Sequence, residues 1–165
     1  MSSLEQDFIR LAFVDSKSYA DIETILKISR QTVKELWDRL SDEREKVNKV
    51  KRLYNRKKKL MNGVSFQDFY TMYTGHELYC CYCGITQDEI NLLFAQEKVK
   101  TKRSGTRGRT LELERVMPNE DYGNLDNLKL ACYWCNNAKS DEFNEIEFKP
   151  IGIEIGIALR ARLKS

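Results

Sequence analysis

Apolar residues recur at helical spacing through the first third of the chain and then give way to a more broken pattern. Leu4, Phe8, Leu11 and Ala12 share one face of a helix predicted over 4–15. The stretch "SYAD" at 18–21 is a capping-box signature, and the helix it starts carries Ile22, Ile25 and Leu26. After the short break "KIS", Ser29 is placed to cap a third helix. Val33, Leu36, Trp37 and Leu40 continue at the same spacing, and Val47, Val50 and Tyr54 prolong the stripe. One long helix is therefore predicted, reaching about Lys58. "NGVS" at 62–65 reads as a hinge and divides the chain into 1–62 and 63–165. Further on, the strand-like run "LELERVMP" leads through a polar loop to "LACYWCNNAKS". The closing stretch "GIEIGIALRARL" is ambiguous, because Ile151, Ile153, Ile155 and Ile157 alternate as they would in a strand.

With 165 residues there is room for one ordinary domain or two small ones with thin cores. A formal net charge of +3 does not identify a nucleic-acid binder, but its distribution is informative. Residues 44 to 59 hold nine Lys or Arg against one acid, Glu45, and end in Lys57, Lys58 and Lys59. The segment "KVKTKRSGTRGR" at 98–109 holds six more, including Arg103, Arg107 and Arg109, and no acid. Two such stretches in a nearly balanced chain suggest surfaces that face phosphate; the plain alternative is a solvated helix face and a loop. No apolar run approaches the roughly 18 residues of a membrane span. The start, "MSSLEQDFIRLAF", lacks a basic segment followed by a long apolar one, so a cytoplasmic protein is expected. There the five cysteines are metal ligands, redox groups or core residues more readily than disulfides.

Over about residues 4–40, two short helices and a turn, with "SRQTVKELW" opening the last helix, resemble the helix-turn-helix of DNA-binding regulators. Ile22, Leu26, Ile28 and Val33 would lock the helices, leaving Arg30, Gln31, Thr32 and Lys34 outward where a major groove would be read. Lys27 stands where such turns often have glycine. Small three-helix units also serve as docking modules for a protein partner or a second copy of the chain.

Cys80 and Cys83 of "CCYCG" and Cys132 and Cys135 of "CYWC" form two CxxC pairs. A tetrahedral zinc site needs four soft ligands, and each CxxC knuckle turns two thiolates toward one point. Gly84 and Asn136, which follow the knuckles, are types that tolerate a left-handed turn. Cys81 is then spare. A thioredoxin-like redox pair is the rival reading, but two separate pairs fit structural zinc better. Tyr79, Tyr82, Tyr133 and Trp134 read as the hydrophobic shell of that site, and Lys139 as a phosphate contact or a solvated residue.

Residues 79 to 148 resemble the HNH, or ββα-metal, nuclease family, in the branch stapled by a four-cysteine zinc. The resemblance rests on Glu114-Arg115 at the end of a strand, Pro118, "NLDNL" with Asn127, and "CNNAKS" opening a helix. It implies that Glu114 and Asn136 hold Mg²⁺ or Mn²⁺, and that Asn127 orients the site. The family's general base, normally a histidine, falls on Arg115, which has no proton-accepting form near neutral pH. Arg115 is then a phosphate clamp for cleavage, a phosphate binder in a site that no longer cuts, or a structural partner of Glu112 or Asp121. The sole histidine, His76, precedes the first knuckle. The resemblance also implies a closing C-terminal helix and a bacterial or phage-encoded protein.

The expected architecture is α+β and mostly α. An N-terminal helix-turn-helix runs through a long basic helix into a zinc-stapled ββα-metal domain closed by a C-terminal helix. The expected function is a metal-dependent DNA endonuclease hydrolysing phosphodiester bonds. The alternative, favoured by the missing histidine and by glutamate in place of aspartate, is a catalytically inactive, zinc-stapled DNA-binding or assembly protein.

Overall fold

The computed structural model describes residues 1–100 and 107–164, and the chain falls into two units, Met1–Thr74 and Gly75–Ser165. It is α+β and mostly helical. The division lies later than the 62/63 hinge because Tyr54 holds the following helix to the first unit. Its hydroxyl donates to the Val64 carbonyl at 2.7 Å, and its ring packs 5.5 Å from both Phe66 and Phe69.

In the first unit α1 (Ser3–Ile9) starts from a capping box in which Ser2 and Glu5 satisfy each other's backbone amides. A single wide turn follows at Arg10–Val14, closed by the Asp15 amide on the Arg10 carbonyl at 2.8 Å. This wide turn shifts the buried face, so Phe8, Ile9, Ala12, Phe13 and Val14 enter the core while Leu4 stays 38% exposed. α2 (Tyr19–Leu26) has the expected capping box at Ser18 and Asp21, and α3 (Arg30–Arg39) the expected cap at Ser29. Between them Lys27 takes a left-handed conformation with φ 53, the geometry for which glycine is the usual residue. Ile22 and Val33 are fully buried, and Phe13 and Trp37 meet edge to face at 5.3 Å.

The single long helix expected from Ser29 to Lys58 is two helices. α3 ends at Leu40, whose backbone (φ −92, ψ 26) leaves helical geometry, and α4 runs Ser41–Lys57. Leu40 is the buried pivot, and the residues after it suit a new helix start, with Asp42 and Glu43 in its first turn. Val47, Val50 and Tyr54 form its buried stripe, and α5 (Phe66–Gly75) packs on it through Phe66 and Phe69.

The second unit is built around a small hairpin. α6 (Gln87–Ala95) begins from a capping box at Thr86 and Glu89. Strand β1 (Glu112–Arg115) then pairs antiparallel with β2 (Leu128–Ala131), with Glu112 opposite Ala131 and Arg115 opposite Leu128. α7 (Tyr133–Lys139) and α8 (Glu145–Lys164) complete the unit. The ambiguous last stretch is thus a helix, and its isoleucines do not form the buried face. Ile146, Ile153 and Ile157 are 85%, 47% and 58% exposed, whereas Phe148, Gly152, Gly156 and Leu159 are buried. The glycines allow the helix backbone to lie on the first cysteine knuckle. A methyl group at Gly152 would fall 2.7 Å from Tyr82 Cβ, and one at Gly156 would fall 2.7 Å from the Cys83 carbonyl oxygen. Gly156→Ala is expected to destabilise the second unit by about 1–3 kcal/mol through overpacking. Thermal unfolding checks this, and a variant as stable as the parent contradicts it.

Candidate active site and zinc site

The Cys80–Cys83 turn is closed by the Gly84 amide on the Cys80 carbonyl at 2.8 Å, and Gly84 sits at φ 70 as its type suggested. The Cys81 amide donates to the Leu130 carbonyl at 2.8 Å, which fixes this knuckle to β2. On the other side Cys132 caps α7, its sulfur accepting from the Cys135 amide at 3.5 Å. Asn136 is an ordinary helical residue there, so the left-handed turn expected at it does not form. The four sulfurs of Cys80, Cys83, Cys132 and Cys135 are buried and lie within 4.8 Å of one another. Cys83 and Cys132 sulfurs are 3.7 Å apart. Zinc–sulfur bonds of about 2.3 Å in a tetrahedron would separate the sulfurs by roughly 3.8 Å. The cluster therefore fits zinc in ligand type, number and spacing.

Of the aromatic residues expected around it, Tyr82 is buried and packs edge to face on Phe148 at 5.0 Å. Tyr79 is 43% exposed, and Trp134 stacks on Phe94 at 6.2 Å. Lys149 donates to the Cys81 carbonyl at 2.6 Å, and Arg160 to the carbonyls of Cys83 and Gly84 at 3.3 and 2.8 Å. α8 is thereby fastened to the knuckle it covers.

Beside this staple, Glu114, Arg115, Tyr122, Asn136, Ser140 and Asp141 line a cavity of about 240 Å³. Glu112 and Glu114, two apart on β1, share a strand face and both meet α7. Asn136 donates its amide to Glu112 Oε2 at 2.7 Å. Glu114 is buried, and its Oε1 lies 3.0 Å from Lys139 Nζ and 3.4 Å from the Tyr82 hydroxyl. Burial pushes the Glu114 carboxyl above its ordinary pKa, against the pull of the Lys139 ammonium. Burial likewise pushes the Tyr82 hydroxyl up, so it remains a donor. Glu114 and Asn136 both line the cavity with side chains that carry oxygen donors. Such oxygens are hard donors, a set that fits Mg²⁺ or Mn²⁺ with water and phosphate completing the shell.

Arg115 is oriented by three contacts. It donates to Asp141 Oδ1 at 2.7 Å and to the Glu120 carbonyl at 3.3 Å, and its guanidinium lies 5.1 Å from the Tyr122 ring centroid. Its acidic partner is thus Asp141, in place of the Glu112 or Asp121 expected. Asn127 does not reach the cavity. It is buried, and its side chain accepts from the Met117 amide at 2.7 Å and donates to the Met117 carbonyl at 3.0 Å. It holds the start of the loop that carries Tyr122, which makes it a positioning residue. His76 is half-buried and is not among the residues lining the cavity.

Sequence reading missed Tyr122, Ser140 and Asp141 and misplaced Lys139, which is neither solvated nor at a phosphate: its side chain is 1% exposed. For Lys139, Ser140 and Asp141 the signal was adjacency, since "KSD" directly follows "CNNA", whereas Tyr122 had none.

Several of the residues expected to touch DNA are engaged within the chain. Arg30 pairs with Glu23 at 2.9 Å, Gln31 bonds Glu35 at 2.9 Å, and the Thr32 hydroxyl lies 2.9 Å from that of Ser29, whose oxygen accepts from the Thr32 amide at 3.1 Å. Lys34, Lys58 and Lys59 are exposed and Lys57 is half-buried. Arg107 pairs with Glu112 at 3.2 Å and lies over Tyr133, and Arg109 lies 4.7 Å from the Phe94 centroid. Arg103 lies outside the described residues.

No protein-family model matches the sequence, and no curated protein matches it. Among solved structures, that of the rare-cutting HNH restriction endonuclease PacI, described for its mechanism of DNA perturbation, is similar. The match has a TM-score of 0.52 and 26% sequence identity, and it covers 70% of this chain and 77% of that one. With its hairpin, its helix carrying Asn136 and its four-cysteine cluster, the chain resembles the HNH nucleases and carries a nuclease-like fold.

Proposed function

We propose that the chain is a metal-dependent DNA endonuclease of the HNH type, in a variant with Glu114-Arg115 in place of an acid and a histidine. The observation that carries the reading is the convergence of Glu114, Arg115 and Asn136 on one cavity beside the cysteine cluster. Glu114 and Asn136 would hold the divalent ion. The chemistry such an ion would supply is polarisation of the phosphodiester and a more acidic water. Arg115 would grip the scissile phosphate and stabilise the charge that develops on it. Asn127 would keep the loop in place. The structural zinc would take no part in the chemistry.

Nicking or linearisation of plasmid by the zinc-loaded protein with Mg²⁺ or Mn²⁺, and none without added ion, is the expected result. Intact duplex, branched and single-stranded DNA under every divalent ion would remove the reading. A second reading, a DNA-binding protein that no longer cuts, is favoured by the ion pair that engages Glu114 and by a cavity without histidine.

Within either reading, α2 and α3 with their Lys27–Ser29 turn would act as a helix-turn-helix, and the basic end of α4 would meet the phosphate backbone. Replacing Lys57, Lys58 and Lys59 with alanine should weaken binding to all sequences alike. It should also flatten the slope of log affinity against log salt, by about 0.9 for each phosphate no longer neutralised. Fluorescence anisotropy across a salt series checks this; an unchanged slope argues against DNA binding there. A cytoplasmic setting agrees with this reading, and among the described residues no helix is long and apolar enough to cross a membrane.

A further inference from the structure

Three carboxylates stand at the cavity and its edge, and each already has a cation. Lys139 Nζ lies 3.0 Å from Glu114, Arg115 Nη2 lies 2.7 Å from Asp141, and Arg107 Nε lies 3.2 Å from Glu112. The pairs are held with unequal firmness. The side chains of Lys139 and Glu114 are 1% and 6% exposed, and the ammonium also donates to the carbonyls of Arg115 and Ser140 at 3.0 and 3.3 Å. An ammonium has three protons, and these three acceptors use them all. Asp141, at 77% exposed, holds Arg115 through a contact that water screens.

The turn that presents Asp141 depends on the same ammonium. Ser140 has φ 54 and ψ −149, a conformation that residues with a Cβ resist, and its carbonyl accepts from Lys139. One buried cation thus fixes the carboxylate on the ion side of the cavity and the strained turn on the phosphate side. Asn136, the other oxygen donor, is neutral. An ion entering this cavity meets hard oxygens but no uncompensated negative charge, and divalent-ion affinity depends on ligand charge.

We propose that Lys139 sets the charge of the site so that divalent-ion binding depends on DNA. The cavity takes the ion appreciably only after a phosphodiester has entered and added its own anionic oxygens. The phosphate replaces Asp141 on Arg115, since the planar guanidinium matches phosphate in a paired, charge-assisted contact. The released Asp141 carboxylate then adds to the negative charge that the ion meets. This inference rests on the nuclease reading.

The test is calorimetric titration of Mn²⁺ into the zinc-loaded chain, alone and saturated with a short mixed-sequence duplex of phosphorothioate linkages, with the duplex-only titration subtracted. Binding at least tenfold tighter with duplex is expected, and equal affinity in the two titrations overturns the proposal. Lys139→Met should tighten ion binding without duplex at least tenfold; in a variant that keeps its zinc, unchanged or weaker binding removes the role given to Lys139. Should that variant not fold, Asp141→Asn at its exposed position serves. It should raise duplex affinity several-fold without any divalent ion, and unchanged affinity removes the exchange on Arg115. A parent that cleaves plasmid yet binds the ion tightly alone refutes this proposal and leaves the nuclease reading standing. A parent that neither cleaves nor binds the ion with duplex refutes both.

Discussion

Removal of zinc, or the change Cys132→Ser, is expected to unfold the second unit. A two-stranded hairpin is marginal in water, and the segments around it meet at the four buried sulfurs. Zinc contributes about 10–16 kcal/mol to the folding of zinc-finger peptides, as much as the whole stability of about 5–15 kcal/mol typical of a domain. Without the metal, four polar thiols are left crowded inside a small core. The first unit holds no member of the cluster and should keep its helices. Elemental analysis should find one zinc per chain, and circular dichroism should show a partial loss of helix on its removal. A metal-free protein with unchanged near-ultraviolet signal and melting temperature would contradict this.

The second large effect belongs to the proposed chemistry. Glu114→Gln keeps the shape of the side chain and still accepts from Lys139, but it lowers the charge offered to the ion. Cleavage should fall by at least about a hundredfold, the scale of losing one pre-organised charge or donor at a transition state. Zinc content should stay at the parent value, because Glu114 is not part of the staple, while the melting temperature should fall because the buried Lys139 ammonium loses its counter-charge. The rate is therefore compared on the folded fraction. Arg115→Ala should lose affinity for DNA as well as rate, since the charge that holds the phosphate also stabilises its transition state. Rates that survive both substitutions would place the reaction elsewhere. An Arg115→Ala variant that loses only thermal stability would make the residue structural.

What was legible in the sequence was carried by local or strongly typed signals. Ser18 and Ser29 announced their helices because a cap needs only residues three apart. The cysteine pairs could be grouped because four soft ligands have few other uses in that pattern. The break at Leu40 was hidden, since apolar spacing continues across it and only the backbone turns aside. The wide turn at Arg10–Val14 was hidden for a related reason: one extra residue in a turn rotates the face without changing composition. α8 was the hardest, because its inward face is marked by Gly152 and Gly156, which no measure of hydrophobicity reports. Lys139 was misread because its meaning depends on Glu114, 25 positions away in sequence (139 − 114) and 3.0 Å away in space. Such pairs are set by the fold and leave no periodic trace.

The seating of α8 on the first knuckle has a kinetic side. A chelator must reach the metal, and Cys83 is roofed by the Gly156 backbone and tied through its carbonyl to Arg160. The last helix is therefore expected to lift before zinc leaves, and its opening to limit the rate of metal exchange. Stripping should be slow and become independent of chelator concentration once opening limits it. Shortening the chain after Ile151, or widening the seat with Gly156→Ala, should speed release even where the ligands themselves are untouched. On this expectation the lifetime of a bound zinc would be governed by a helix that supplies none of its ligands.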